Sequence, residues 1–180
     1  MKVQLSYRSI GPVTDDGWLS EEQLDAWLSY VAASSLLEAA LDRQLQRDSG
    51  LPHAYYQILA MLSEIPGRTL RMSDLAAITQ SSQSRLSHAV SRLERNGWIR
   101  RLPCPDDRRS TLARLTDAGF DVLAAAAPGH VDAVRRHLFA RLTPEQVGQL
   151  REITRAVLSG LATADELPGA CAGTRSPLAQ

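Results

Sequence analysis

The segment that most constrains the fold of this chain lies between residues 82 and 114. Its first part places Leu86, Val90 and Leu93 at steps of four and three, the spacing of one helix face. Basic side chains follow steps of three, four and three on another face: Arg85, His88, Arg92 and Arg95. A helix with one apolar and one cationic face packs on a core while it presents its charges to a polyanion.

A tight stop and a basic hairpin follow this helix, which we predict over residues 83–96. Gly97 provides the stop, and segments 98–102 and 111–115 have the composition of short strands. The loop between them, 103–110, contains two aspartates and two arginines. This order of helix and hairpin is typical of a winged helix-turn-helix, in which the hairpin is the wing.

The residues before the cationic helix complete the motif. Ser73 is placed to cap a short helix over residues 74–79, and residues 80–82 form a serine-containing turn into the next helix. In a helix-turn-helix the second helix enters the major groove of DNA. We therefore predict that helix 83–96 is the recognition helix.

Two helices are predicted before this unit. Ser20 and Gln23 form a capping box, and the helix that they begin continues to about residue 47. A second helix covers residues 53–64 and is ended by Pro66. The first helix has apolar residues on more than one stripe, which predicts packing against more than one partner.

Two further helices are predicted after the hairpin. One begins at Thr116, with a kink or break expected at Pro128. The other begins at a second capping box, formed by Thr143 and Gln146, and extends to about residue 164. Together with the first helix they carry more apolar residues than a small winged-helix core can cover, so we expect them to build the core of a homodimer.

The predicted fold class is therefore mainly α (α+β), a winged helix-turn-helix with N- and C-terminal dimerisation helices. Its parts are a flexible arm, an N-terminal dimerisation helix, the DNA-binding domain, the C-terminal dimerisation helices and a disordered tail. They cover residues 1–19, 20–52, 53–115, 116–164 and 165–180.

Charge is distributed unevenly, although the net charge is zero. Residues 68–114 contain ten arginines and four acidic residues, a net charge of +6, whereas the rest of the chain has ten basic and sixteen acidic residues, a net charge of −6. A basic centre flanked by acidic ends is the footprint of nucleic-acid binding, and the alternative is an ordinary solvated helix face.

No apolar run approaches the roughly 20 residues that span a bilayer, and the N-terminal segment lacks the apolar centre of a secretory signal. We therefore expect a cytoplasmic, nucleoid-associated protein.

Two runs of residues match the motifs of a known family. In the wing, Asp107-Arg108-Arg109-Ser110 is followed after four residues by Leu115-Thr116-Asp117-Ala118-Gly119, similar to a D-x-R wing motif and an L-T-x-x-G helix start. Residues 84–101 contain the run L-x-x-x-V-x-x-L-E-x-x-G-W-I-x-R, which ends at Arg101. With both runs in this order, residues 20–164 resemble the multiple antibiotic resistance regulator (MarR) family of bacterial transcription factors.

The resemblance implies a homodimer with intertwined terminal helices and two winged-helix lobes on a pseudo-palindromic operator. It also implies that Arg109 reaches the minor groove and that Asp107 braces it. An arginine at a hairpin tip is drawn to the negative potential of a narrow minor groove. A nearby carboxylate can hold its guanidinium group in one orientation.

The residues assigned to double-stranded DNA lie at the start of the recognition helix, along its cationic face and in the wing. Arg85 is placed to recognise bases, because arginine binds guanine O6 and N7 with two hydrogen bonds. The serines near the helix start are placed for phosphate contacts. The predicted DNA contacts are Ser81, Ser82, Gln83, Ser84, Arg85, His88, Arg92, Arg95, Asp107, Arg108 and Arg109. For each of them the alternative is a solvent-facing polar side chain without DNA contact.

The resemblance also implies a small-molecule effector, bound near the start of the second helix, that relieves repression. The predicted ligand-binding residues are Trp27, His53, Tyr55 and Tyr56. The alternative for these residues is ordinary core packing, with the tyrosine hydroxyls bound to protein partners.

No cofactor, metal site or catalytic residue is predicted. His130 and His137 share a helix face, but two ligands are fewer than the three or four that zinc takes. Cys104 and Cys171 form no C-x-x-C motif. The first helix lacks the cysteine that oxidation-sensing members of the family keep there, so a redox role is not expected.

Two other classes of function remain open. A winged-helix dimerisation or protein-interaction module would not bind DNA specifically, and it would leave the cationic helix face unexplained. An enzyme is the least supported class, because the sequence has no triad spacing, paired carboxylates, P-loop or Gly-rich cofactor fingerprint.

Overall fold

The computed structural model describes residues 19–105, 107 and 109–161. The predicted tail, nearly all of the predicted arm, Arg108 and Cys171 lie outside this part of the chain. The helices are α1 Glu21–Ser49, α2 His53–Glu64, α3 Met72–Ile78, α4 Gln83–Arg95, α5 Asp117–His137 and α6 Pro144–Leu161, and the strands are β1 Thr69–Arg71, β2 Ile99–Pro103 and β3 Thr111–Leu115. The chain divides into two compact units after Leu36, within α1. None of the described helices has the length and apolar character needed to cross a membrane.

The three strands form an antiparallel sheet in the order β1-β3-β2. Strands β2 and β3 form the predicted hairpin, with Ile99 opposite Leu115 and Pro103 opposite Thr111. Strand β1 pairs along the other edge of β3. The sequence predicts the hairpin but not this third pairing, because a three-residue strand is too short to show a period.

One apolar core joins the end of α1, α2, α3, α4, the sheet and α5. Its completely buried large side chains are Leu45, Leu51, Leu59, Leu62, Leu75, Leu86, Val90, Leu93 and Ile99. Each such side chain contributes about 1.5–3 kcal/mol on burial. Because the three apolar residues of the recognition helix are all in this core, as predicted, the opposite face of α4 is turned to solvent.

Both predicted capping boxes are present. At α1, the Ser20 N–H donates to Gln23 Oε1 at 2.9 Å, and the Gln23 N–H donates to Ser20 Oγ at 3.1 Å. At α6, the Thr143 N–H donates to Gln146 Oε1 at 2.9 Å, and the Gln146 N–H donates to Thr143 Oγ1 at 3.3 Å. These local pairs satisfy backbone donors that a helix start leaves free.

Two local predictions are wrong. Helix α3 begins at Met72, so Ser73 lies inside it and donates to Asp74 Oδ1 at 2.9 Å instead of capping the helix. Helix α5 continues through Pro128, so of the predicted kink or break the break is absent. Proline removes the hydrogen bond to the carbonyl four residues earlier, which here belongs to Ala124, an exposed residue.

The start of α5 is fixed against the end of the hairpin. Thr116 Oγ1 accepts the Gly119 N–H at 3.0 Å and donates to the Gly97 carbonyl at 2.7 Å. A Cβ on Gly119 would lie 2.2 Å from the Trp98 carbonyl oxygen and 2.8 Å from Leu115 Cδ1. The L-T-x-x-G run therefore joins the sheet to α5 by a cap and a close backbone approach.

A polar junction joins α2, α5 and the part of α1 after residue 36. Asp42 Oδ1 accepts the His53 N–H at 2.9 Å and so caps α2, and Glu38 Oε1 lies 3.8 Å from His53 Nδ1. The His130 ring lies against the rings of Tyr56 and His53, with centroid distances of 4.3 and 5.5 Å. Burial, and next the charge of His53, lower the pKa of His130.

We expect Gly119→Ala to destabilise the fold by about 1–3 kcal/mol, because the new methyl group overlaps backbone that cannot move alone. Denaturant unfolding monitored by circular dichroism measures this change. Gly148→Ala is the matched control, since a Cβ there would meet no described atom within 4 Å. Removing this helical glycine is expected to stabilise the fold by about 0.5–1 kcal/mol. Equal stability of Gly119→Ala and the unmodified protein would contradict the close approach.

We expect acid to destabilise the fold through His130. The pKa of His130 in the fold lies below its ordinary value of 6.5, so the unfolded chain binds a proton that the folded chain rejects. The contribution of neutral His130 to the free energy of unfolding is complete above pH 6.5. It is lost as the pH falls through the folded-state pKa. Between about pH 7.5 and about pH 5.5, the range in which histidine titrates, His130→Phe should lose less Tm than the unmodified protein. His137→Gln, at an exposed position, should lose as much as the unmodified protein. Equal losses in all three would contradict this role.

Candidate nucleic-acid interface

The start of α4 presents its polar residues to solvent. Ser82 caps the helix, because its Oγ accepts the Arg85 N–H at 3.3 Å. The exposed predicted residues of this helix are Gln83, Ser84, Arg85, His88, Arg92 and Arg95. Ser81 differs from them, since it is half-buried and donates to the Thr79 carbonyl at 3.2 Å.

Asp107 organises the wing loop. Its Oδ1 accepts the Arg109 N–H at 2.9 Å, and its Oδ2 accepts the Ser110 hydroxyl at 2.6 Å. The Ser110 hydrogen bond, then that of Arg109 and the charge of Arg71, lower the pKa of Asp107. The described contacts of this carboxylate to Arg109 are with its backbone, whereas the sequence argument placed it against the guanidinium group. The Arg109 side chain is left exposed, and Arg108 lies outside the described residues.

Arg101 links the first wing strand to the recognition helix, a role that the sequence analysis missed. It is half-buried, and its Nη1 lies 3.1 Å from Glu94 Oε2. Successive residues of a strand point to opposite faces, and its neighbour Arg100 is exposed. The available signal was the family-like run itself, in which both Glu94 and Arg101 are specified positions.

An open cleft of 530 Å³ lies between α4, β1 and the wing. Polar and basic residues line it, among them Arg71, Ser73, Gln83, Ser84, Arg101 and Arg109. Its three arginines come from β1, β2 and the wing loop, which are separated in sequence and meet through the sheet. Arg71 and Ser73 were not predicted, because nothing in their local sequence indicates that β1 pairs beside the hairpin.

Three of the four predicted ligand-binding residues lie at the start of α2. His53 and Tyr56 are buried and Tyr55 is half-buried. Nδ1 of His53, Nδ1 of His130 and Oε1 of Gln44 are buried without a hydrogen-bond partner among the described residues. The fourth, Trp27, is in the N-terminal unit, where it is 51% exposed and lies against Tyr30 with ring centroids 6.2 Å apart.

Comparison with known proteins finds relatives of this chain. A model of the MarR family matches residues 49–110. The chain is 30% identical to the HTH-type transcriptional regulator PecS of Dickeya dadantii over 121 residues, which are 67% of this chain and 72% of that protein.

Two solved structures are similar over most of the chain. Sco3205, a MarR family transcriptional regulator from Streptomyces coelicolor in complex with DNA, is 56% identical, with a TM-score of 0.77 and coverage of 84% of this chain and 98% of that one. AbsC, a MarR family transcriptional regulator from the same organism, is 39% identical, with a TM-score of 0.74 and coverage of 81% and 97%. On the strength of this similarity, which extends over nearly the full length of both solved structures, the chain belongs to the MarR family of transcriptional regulators.

Proposed function

We propose that this protein is a homodimeric, DNA-binding transcriptional regulator that acts as a repressor relieved by a small ligand. It binds a pseudo-palindromic operator with α4 in the major groove and the wing in the minor groove. The observation that carries the proposal is the exposed cationic face of α4 beside the exposed Arg109, both held on one buried core. The DNA complex of Sco3205, a relative at 56% identity, supports it.

The cleft beside α4 fits the DNA backbone. A duplex with α4 in one groove and the wing in the next has a sugar-phosphate strand between them. In our proposal that strand lies over the cleft, where Arg71 supplies positive charge and Ser73 and Ser84 supply hydroxyl groups. Such contacts position a protein on DNA without recognising sequence.

Different parts of the interface have different proposed roles. Arg85, in the first turn of α4, recognises base edges, and Ser82 and Ser84 place the helix N-terminus near a phosphate. His88, Arg92 and Arg95 lie further along the exposed face and bind phosphates. The remaining predicted contacts, including the half-buried Ser81, stay predictions.

Exposed apolar residues support a homodimer. In the N-terminal unit they are Leu19, Trp27, Tyr30, Val31 and Leu36, and in α6 they are Ile153, Val157, Leu158 and Leu161. Large contiguous apolar surfaces mark interaction sites, because water disfavours them. A dimer built on these helices would place two recognition helices in successive major grooves, about 34–36 Å apart.

The proposed effector would bind at the junction around His53. The unpartnered polar atoms of this junction and the half-buried Tyr55 could bind a small polar aromatic molecule, which would shift α5 relative to α2 and change the spacing of the recognition helices. We propose no catalytic activity. A protein-interaction module is the second candidate. DNA binding by the Arg85→Ala and Arg109→Ala variants distinguishes it from a transcriptional regulator.

We expect Arg85→Ala and Arg109→Ala to weaken binding to an operator selected by the protein from random duplexes. Loss of a bidentate base contact costs about 1–3 kcal/mol of discrimination, roughly five- to 150-fold in affinity. Fluorescence anisotropy against operator and random duplexes at fixed salt measures both effects. Arg155→Ala, an exposed residue of α6, removes the same charge and should bind almost normally. A protein that prefers no duplex, or variants that keep full preference, would favour the interaction module.

We expect Val157→Glu to dissociate the dimer. An unpaired charge buried at an interface costs about 3–5 kcal/mol, which raises the dimer dissociation constant by about 100-fold or more. Sedimentation velocity measures the dimer dissociation constant. Arg155→Glu is the comparison variant, because it introduces an acidic group elsewhere on the same helix. An unchanged dimer in Val157→Glu would exclude this face from the interface.

A further inference from the structure

We propose that Glu94 and Arg101 form a bracket that sets the position of the wing relative to the recognition helix. Arg101 is then a positioning residue, which acts on DNA through Arg109 rather than by its own contact. The inference depends on the proposed DNA-binding function and deepens it by naming what couples the two DNA-contacting elements.

The carboxylate of Glu94 is shared between two groups of Arg101. Glu94 Oε1 accepts the backbone N–H of Arg101 at 2.9 Å, and Glu94 Oε2 accepts Nη1 of its guanidinium group at 3.1 Å. One side chain of α4 therefore holds both the main chain and the side chain of β2. Charge-assisted hydrogen bonds of this kind are shorter and stronger than neutral ones.

The guanidinium group also binds α4 at two earlier positions. Nη1 donates to Ser91 Oγ at 3.0 Å, and Nη2 donates to the Ser87 carbonyl at 2.8 Å. Ser87, Ser91 and Glu94 follow steps of four and three, so they form one stripe of the helix. Arg101 therefore binds along almost two turns of α4, a length of about 10 Å.

The bracket lies at the base of the wing, which is the place where it has most effect. Arg101 is opposite Ala113 in the hairpin, and the strands extend about 3.4 Å per residue beyond this pair. A small rotation of β2 against α4 is therefore magnified at Arg109. Below the bracket, Leu93 and Ile99 anchor the two elements in the core, so losing the bracket frees the wing without unfolding the domain.

Direct phosphate binding by Arg101 is the competing role, because this residue also lines the cleft. Its side chain is only 27% exposed, and both Nη atoms already donate to α4. A phosphate contact would have to replace these hydrogen bonds. The geometry therefore favours positioning.

Glu94→Gln separates the two roles by the sign of its effect. Removing a negative charge beside a polyanion strengthens binding if Arg101 acts only by charge. If the bracket positions the wing, the same substitution weakens operator binding, by about tenfold when the minor-groove contact is lost. Tighter or unchanged binding by Glu94→Gln would overturn the proposal.

A double-mutant cycle with Arg109→Ala tests the coupling directly. We expect Arg109→Ala to cost about tenfold or more in the unmodified protein, but less than about threefold in a Glu94→Gln or Arg101→Met background, because the wing is already displaced. Arg100→Met is the matched control, since it removes the neighbouring exposed charge and leaves the bracket. In that background Arg109→Ala should keep its full effect. Equal effects in every background would overturn the bracket.

Arg101→Lys completes the series. Lysine keeps the charge but cannot bind Glu94 and the Ser87 carbonyl together with a planar fork, so we expect it to behave like Arg101→Met. Binding equal to that of the unmodified protein would show that charge alone matters. Circular dichroism and sedimentation velocity check that each variant is folded and dimeric, and Glu94→Gln, which keeps the side-chain shape, serves if an Arg101 variant unfolds.

The outcomes distinguish this inference from the function beneath it. If the unmodified protein prefers no duplex, both the proposed DNA-binding function and the bracket fail. If it binds its operator and needs Arg109, but the cycle is additive, only the bracket fails.

Discussion

Burial of one face of α4 is the constraint on which the interface depends. Leu86, Val90 and Leu93 are almost completely enclosed, and rotating the helix to hide its arginines would return these apolar side chains to water. At about 1.5–3 kcal/mol each, this cost exceeds what exposed charges gain from any neighbour on the surface. The cationic face is therefore held outward before any ligand binds.

The wing depends on the same core through different contacts. The sheet carries Arg71, Arg101 and Arg109 to one cleft from three separate segments, and Asp107 shapes the loop by accepting the Arg109 N–H and the Ser110 hydroxyl. Asp107 thus shapes the loop that presents Arg109, and Glu94 holds Arg101 against α4. The chain displays a basic surface without net charge because the basic segment 68–114 is offset by the acidic remainder of the chain.

The junction between α2 and α5 has the opposite character, because its polar groups are only partly satisfied. His53 and His130 are in contact with each other and with Tyr56, and a buried polar atom without a partner costs about 1–3 kcal/mol. A bound molecule or a change of protonation can therefore lower the free energy of this region by more than it can lower that of a well-packed apolar core. The recognition unit is thus held on an apolar core, whereas the helix contact behind it contains buried polar atoms without a hydrogen-bond partner among the described residues.

Features that depend on residues within about four positions of one another were determined by the sequence. They include the two faces of α4, the Gly97 stop and both capping boxes, because helix and turn contacts are local. The composition of the two strand segments and of the loop between them indicated the hairpin. The order of helix and hairpin predicted the winged helix-turn-helix, and the family motifs added the expectation of intertwined terminal helices on a pseudo-palindromic operator. The same local reasoning misplaced the start of α3 and allowed for a break in α5 at Pro128, where the helix is continuous.

Contacts between distant segments were decided only by the tertiary structure. The pairing of β1 with β3 brings Arg71 to the cleft, the turn after α4 places Arg101 along Ser87, Ser91 and Glu94, and the course of α5 sets His130 against His53. None of these partners can be inferred from spacing, because the geometry that joins them is produced by the packing of the whole core. The sequence determined which surface of the recognition helix is presented, and the packing decided what holds it in place relative to the wing.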